Sequence, residues 1–313
     1  MKKSTTVTNF HGLISSSPKM LEVFELIKRA SKTDSSILLR GESGTGKELF
    51  AKSIHMESLR KKMPYKALNC ATLSEELMIS ELFGHVKGAF TGAVSNHDGL
   101  FSVANNGSIF LDEIAEIPFK LQAKLLRVFQ EKAFNRVGST KVEHANVRFI
   151  SATHTSLRNL VADGRFREDL MYRLRVVPLF LPALREREGD IHVLVERFMA
   201  EFNQQGHRNI TSISKQAMDA LLDYSWPGNI RELRNNIEYA FAIGRGDQLE
   251  LTDLSPELQG LTPPSQTNDL DKMERERLVK ALREAEGNKT RAAELFGASR
   301  PTFWRKCKLH NVY

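Results

Sequence analysis

The chain has 313 residues, 41% of them hydrophobic, and 45 Lys and Arg against 38 Asp and Glu leave a net charge of +7. That length allows roughly two domains of about 150 residues, and the charge suits an acidic partner while leaving too many acids for a histone-like coat. No apolar run approaches the ~18 residues of a membrane span, no apolar core follows Lys2 and Lys3, and Cys70 and Cys307 with nine scattered histidines form no disulfide framework or zinc pattern, so we expect a cytoplasmic chain without a structural metal.

Short β-rich runs at 37–40, 67–69, 109–111 and 147–150 alternate with helical spacing, as at Leu21, Val23, Phe24 and Ile27 and again at Leu121, Leu125, Val128 and Phe129. This alternation predicts an α/β fold with a parallel sheet sandwiched by helices. From about 190 to 243 only helical patterns remain. Pro227-Gly228 breaks the chain, Asn229 is placed to cap the next helix, and Glu232 stands at the capping-box position. Ile230, Leu233 and Ile237 form that helix's apolar stripe. A stretch rich in Pro, Ser and Thr over 255–268 reads as an extended linker. A charged helix over 273–286 and two more helical segments close the chain.

Gly41-Glu42-Ser43-Gly44-Thr45-Gly46-Lys47-Glu48 follows one predicted strand directly and opens a helix. Such a loop needs glycines so that the backbone can fold around phosphate with its N–H groups inward, and Lys47 can reach the β- and γ-phosphates. Glu48 stands where a hydroxyl usually ligates Mg²⁺. Further along, the strand at 109–111 runs into Asp112 and Glu113, a pair suited to holding Mg²⁺ (Asp112) and polarising an attacking water (Glu113). No guanine-reading NKxD string is present, which favours ATP. Arg167 and Arg173 could reach a neighbouring subunit's nucleotide in trans; the alternative is surface ion pairing with Glu168 and Asp169.

Glu81-Leu82-Phe83-Gly84-His85 and, just after it, Gly88-Ala89-Phe90-Thr91-Gly92-Ala93 carry a specific resemblance. The chain resembles the AAA+ bacterial enhancer-binding proteins, activators of sigma-54 RNA polymerase, from about Phe10 to its end. In that family the P-loop commonly reads GESGTGKE, so Glu48 is ordinary there. The resemblance implies an ATPase using ATP and Mg²⁺, in which residues 88–93 contact sigma-54 and deliver the force of hydrolysis to the closed promoter complex. It also implies that Asn69 is a switch contacting Glu113, that Thr153 lies in the sensor I region, with His154 where Asn is usual, and that Arg231 is the sensor II arginine. Arg167 and Arg173 match the trans-acting finger positions, which implies a ring, a hexamer when active. Ser15 replaces a customary glycine. The architecture is similar to the phage-shock type of activator, with an AAA+ α/β part at 10–180, a helical lid at 181–250, a linker at 251–269 and a Fis-type helix-turn-helix domain at 270–313. The short segment ahead of the ATPase leads us to expect either control by a regulator acting in trans or an origin in a longer protein.

The tail supports DNA binding on its own residues. From Asn288 onward six Lys and Arg face one acid, and a helix at 290–296 is followed by Gly297-Ala298-Ser299 and a second, basic helix. Arg300, Thr302 and Arg305 are candidates for base edges, and Lys306 and Lys308 for phosphates. Two other readings remain at this point: a DNA-binding regulator with a merely structural ATPase fold, and a remodeller of a different protein.

Overall fold

The computed structural model describes residues 7–206 and 208–261, and in the tail 278–282, 284–285, 289–296, 298, 303–304 and 306–307. The chain divides into two compact units, Met1–Leu254 and Ser255–Tyr313.

The first unit is built on five parallel strands: β1 (Ile37–Arg40), β2 (Tyr65–Asn69), β3 (Ser108–Asp112), β4 (Arg148–Thr153) and β5 (Val177–Phe180). Their spatial order is β5-β1-β4-β3-β2. The central strands β1, β3 and β4 are buried on both faces because helices cover both. On one side α1 (Pro18–Ala30) and α2 (Lys47–Met56) pack Phe24, Ile27, Phe50 and Ile54 against Ile37, Leu39 and Phe110. On the other, α3 (Glu75–Phe83), α4 (Phe119–Glu131), α5 (Leu157–Ala162) and α6 (Glu168–Leu174) pack against Leu38, Ile109 and Leu111. The strand alternation read from the sequence therefore gives the expected α/β sandwich, with β4 running three residues further than expected, to Thr153.

The lid follows as α7 (Asp190–Gln204), α8 (Lys215–Asp223) and α9 (Asn229–Ile243). Two features differ from the sequence expectation. A two-residue parallel pairing joins Ser212–Ile213 to Gln248–Leu249, too short to leave a periodic signal. Residues 251–254, expected to open the linker, are packed: a 3-10 turn at Leu251–Asp253 lies against α8 and α9, and Leu249 and Leu254 are buried.

In the second unit, α10 (Lys289–Phe296) carries Ala292 and Ala293 into a core with Leu278, Ala281, Ala285, Phe303 and Cys307. Small alanines let the helical segments approach closely around Phe303, against which Phe296 and Trp304 also pack. Among the described residues no helix is long and apolar enough to cross a membrane, and no His, Cys, Asp and Glu cluster could hold a metal.

Candidate nucleotide site and its surroundings

The P-loop turns at the carboxyl end of β1. Gly44 and Gly46 take φ of 77° and 93°, a region closed to most L side chains. A Cβ on Gly44 would stand 2.1 Å from the Gly228 carbonyl oxygen, because the lid backbone lies directly on the loop. Gly46 caps α2, and Lys47, in its first turn, is buried to 7% exposure. Its Nζ donates to the Gly41 and Glu42 carbonyls at 3.2 and 3.5 Å and lies 3.2 Å from Glu113 Oε1. The Thr45 hydroxyl donates to the Glu42 carbonyl, which tightens the turn. Glu48 and Ser43 line the cleft that opens above Lys47.

Asp112 ends β3, and its Oδ1 accepts the Glu113 N–H at 3.0 Å. Glu113 adopts a left-handed conformation, φ 48°, which turns its carboxylate back over the P-loop. Burial raises the Asp112 carboxyl above its usual range, and the Glu113 charge adds to this. Burial pushes Glu113 upward too, but the His154 hydrogen bond and the Lys47 charge outweigh it, and the net shift is downward. Glu113 is thus held as a carboxylate by two neighbours. His154 Nδ1 lies 2.7 Å from Glu113 Oε2, and the His154 backbone N–H also donates to that oxygen.

Two expected positions are used differently. Thr153 is fully buried, and its hydroxyl donates to the Thr155 carbonyl, facing away from the nucleotide cleft. Histidine 154, one residue on, makes the contact with Glu113. Asn69 does line the cleft, but its Oδ1 accepts the Ala71 N–H at 2.9 Å, and among the described residues no hydrogen bond joins it to Glu113.

The lid contributes from the opposite side. Asn229 does not cap α9 as expected; Gly228 is the cap, and Glu232 accepts its N–H at 2.7 Å. Asn229 instead sits fully buried at φ 54°, donating to the Ser43 carbonyl and Glu42 Oε2 and accepting from the Leu184 N–H. Arg185 pairs with Glu42, whose carboxyl its hydrogen bonds, with that of Asn229, lower to about 2. Arg231 reaches Ser43 Oγ at 3.2 Å, and buried Arg187 donates to the Thr45 carbonyl. Ser15, in the glycine's place, donates to Asp190 at 2.7 Å, and the Ser16 and Ser17 N–H groups join it, tying the start of α7 to the N-terminal strap. The resulting cleft, about 610 Å³, has an apolar wall of Leu13, Ile14, Met20, Leu194 and Phe198 opposite the charged floor. It is sized and lined for a nucleotide: an apolar slot for a base and a lysine-floored glycine cradle for phosphates.

The segment 88–93 lies between two short antiparallel strands, Gly84–His85 and His97–Asp98. Gly88 and Gly92 have φ of 82° and 102°, and Phe90 is 44% exposed, its ring 4.9 Å from that of His85. Thr91 is exposed, while Ala89 is half-buried and Ala93 buried. Arg167 forms an ion pair with Asp169 at 2.8 Å, whereas Arg173 is exposed with no ion pair among the described residues. Of the DNA-contact candidates only Lys306 is described, half-buried in a helical turn; Arg300, Thr302, Arg305 and Lys308 lie outside the described residues.

Fold and site together define an AAA+ P-loop ATPase with a helical lid. The family model for the sigma-54 interaction domain matches residues 13–180, that for the AAA+ ATPase lid domain 185–271, and that for the Fis family of bacterial regulatory proteins 269–308. The regulatory protein AtoC of Escherichia coli K12 is 41% identical over 312 residues, covering 96% of this chain and 68% of AtoC. The Nif-specific regulatory protein of Bradyrhizobium diazoefficiens is 49% identical over 245 residues, 78% of this chain and 42% of that protein. Crystal structures of Brucella abortus NtrX with ADP and with ATP superpose at TM-scores of 0.73 and 0.72, with 36% and 37% identity, and cover 96% of this chain and 70% and 69% of NtrX. The chain belongs to the sigma-54-dependent transcription activators, ATP-binding AAA+ ATPases with a Fis-type helix-turn-helix that act on sigma-54 RNA polymerase and bind DNA.

Proposed function

We propose that the chain assembles into a ring, a hexamer when active, that binds enhancer DNA and couples each ATP turnover to movement of the 88–93 loop against sigma-54, opening the promoter complex in the cytoplasm. The observation that carries the reading is that Glu113, which lines the cleft with Lys47, is held between Lys47 and His154 and kept ionised. In this scheme the P-loop N–H groups from Gly41 to Glu48 and the Lys47 ammonium hold the phosphates, and Arg231 senses them from the lid. Asp112 fits a Mg²⁺ ligand, being a partly buried carboxylate raised by burial at the end of β3; the ion would neutralise charge building on the phosphoryl oxygens. Glu113 orients the attacking water and takes its proton. Arg173 makes the trans contact in this scheme, and Arg167 joins it by leaving Asp169. Asn69 acts by exchanging its Ala71 contact for Glu113.

The boundaries that accompany this reading are an α/β part at 10–180, a lid at 181–254 and a reader at 270–313 that uses Arg300, Thr302 and Arg305 on base edges and Lys306 on phosphate. The test is open-complex formation in vitro from sigma-54 holoenzyme on a sigma-54 promoter. Opening that requires hydrolysable ATP supports the reading; ATP hydrolysis and DNA binding without opening overturns it.

A further inference from the structure

A second cleft lies on the α5–α6 face of the sheet, at the carboxyl ends of β1, β4 and β5. The register fixes its rim: Thr153 of β4 pairs with Arg40 of β1, and Arg40 with Phe180 of β5, so the three side chains share one face. Arg158, on α5, and Arg175, just past α6, also line the cleft, and so does Ser156, the N-cap of α5. The cavity, partly open to solvent, is about 80 Å³. On the same measure the nucleotide cleft is about 610 Å³, so this cavity suits a ligand far smaller than a nucleotide, the size class of a single tetrahedral oxyanion.

The charge pattern is unusual for a surface notch. Three arginines, Arg40 and Arg158 exposed and Arg175 half-buried, are among the residues lining one small cavity, no carboxylate residue lines it, and none of the three has an ion pair among the described residues. Convergent like charges repel unless an anion sits between them. Arginine forks match oxyanion geometry, and Ser156 adds a hydroxyl donor. Deeper on the same face of β4, the Ser151 hydroxyl is buried without a hydrogen-bond partner. The carboxyl end of a parallel sheet is also where α/β folds bind ligands.

We propose that this cleft binds a single phosphate-class oxyanion, either free phosphate or the phosphoryl end of a larger molecule, separately from the nucleotide. The site adjoins the ATPase through one peptide, since Thr153 lines it and His154 holds Glu113. The test uses the full chain saturated with ADP, so that the P-loop is filled, and titrated at constant ionic strength with orthophosphate or tripolyphosphate while heat and Tm are read. Saturable binding with a rise in Tm is expected, weakened about tenfold or more in Arg158→Ala/Arg175→Ala, while ADP stabilises that variant as it does the parent. Orthophosphate acting alone identifies the free ion, and a response confined to tripolyphosphate identifies a phosphoryl end. Should the double variant lose its ADP response, Arg158→Gln serves in its place. Absence of saturable binding by the parent, or equal affinity in parent and variant, overturns the proposal.

Discussion

The nucleotide cleft and the 88–93 loop are built on opposite terms. Around Glu113, groups from two distant chain segments meet within hydrogen-bond distance, Lys47 from the P-loop and His154 from beyond β4, and its chain neighbour Asp112 accepts its N–H. In the loop, the backbone hydrogen bonds of residues 88–93 close within 86–94, and among the described residues the one ring contact of Phe90 is with His85. Chemistry on a phosphoryl group requires charges fixed before the substrate arrives. A loop that pushes on a partner needs the reverse, an apolar tip whose release breaks few bonds. The two regions therefore differ in how many long-range contacts each holds.

The sharpest way to break this comparison is to disarm the cleft alone. Glu113→Gln keeps the size of the side chain but removes its charge, and ATP turnover should fall by about 10²- to 10⁴-fold, the usual worth of a general base, while nucleotide binding persists. Measured phosphate release near the parent's would remove Glu113 from its role. The converse change is Thr91→Ala. With its fold and cleft untouched, turnover should stay near the parent's while open-complex formation drops by about tenfold or more, as for loss of an interface hot spot. Equal activation by parent and variant would show that the loop does not transmit the force.

Legibility in the sequence follows the same division. The P-loop, the Asp112–Glu113 pair and the 88–93 string are contiguous, so their chemistry survives without the fold. The long-range parts do not: Asn229 meets Glu42 across 187 positions, and nothing in its neighbourhood distinguishes that use from a helix cap. Pro227-Gly228 and Glu232 correctly marked the helix start but pointed to the wrong cap, because Glu232 itself satisfies the Gly228 N–H. Thr153 and His154 are adjacent on a strand ending, where successive side chains face opposite sides. Only the fold shows which one meets Glu113. The lead in the sequence was that His154 stands where the family usually has Asn.

That contact yields the next prediction. His154→Ala removes the hydrogen bond at 2.7 Å but leaves Lys47 in place, so Glu113 should remain ionised yet lose orientation. Turnover should fall by about 10- to 100-fold, the scale of a small misplacement, and His154→Asn should restore part of it. A pre-steady-state assay of phosphate release reads the difference; identical rates for the parent and His154→Ala would leave the contact incidental.

The smallest effect comes from the exposed pair that joins the lid to the P-loop. Arg185 and Glu42 are each nearly half exposed, so water and salt weaken their attraction and the pair contributes at most about 1 kcal/mol. Arg185→Ala should lower Tm by no more than about 4 °C near neutral pH. The folded Glu42 carboxyl titrates at about 2 against an ordinary 4.5. A folded value below the unfolded one gives stability that is complete above 4.5 and is lost as pH falls toward 2. The difference in Tm between the parent and Arg185→Ala should therefore shrink over that acidic window and be unchanged on the alkaline side. Asn229 remains bonded to both Glu42 and Ser43 in the variant, so the lid stays docked and ADP affinity should change far less than in an Asn229→Ala protein. If Arg185→Ala weakens ADP as much as Asn229→Ala does, the lid is held at its rim rather than by the buried amide.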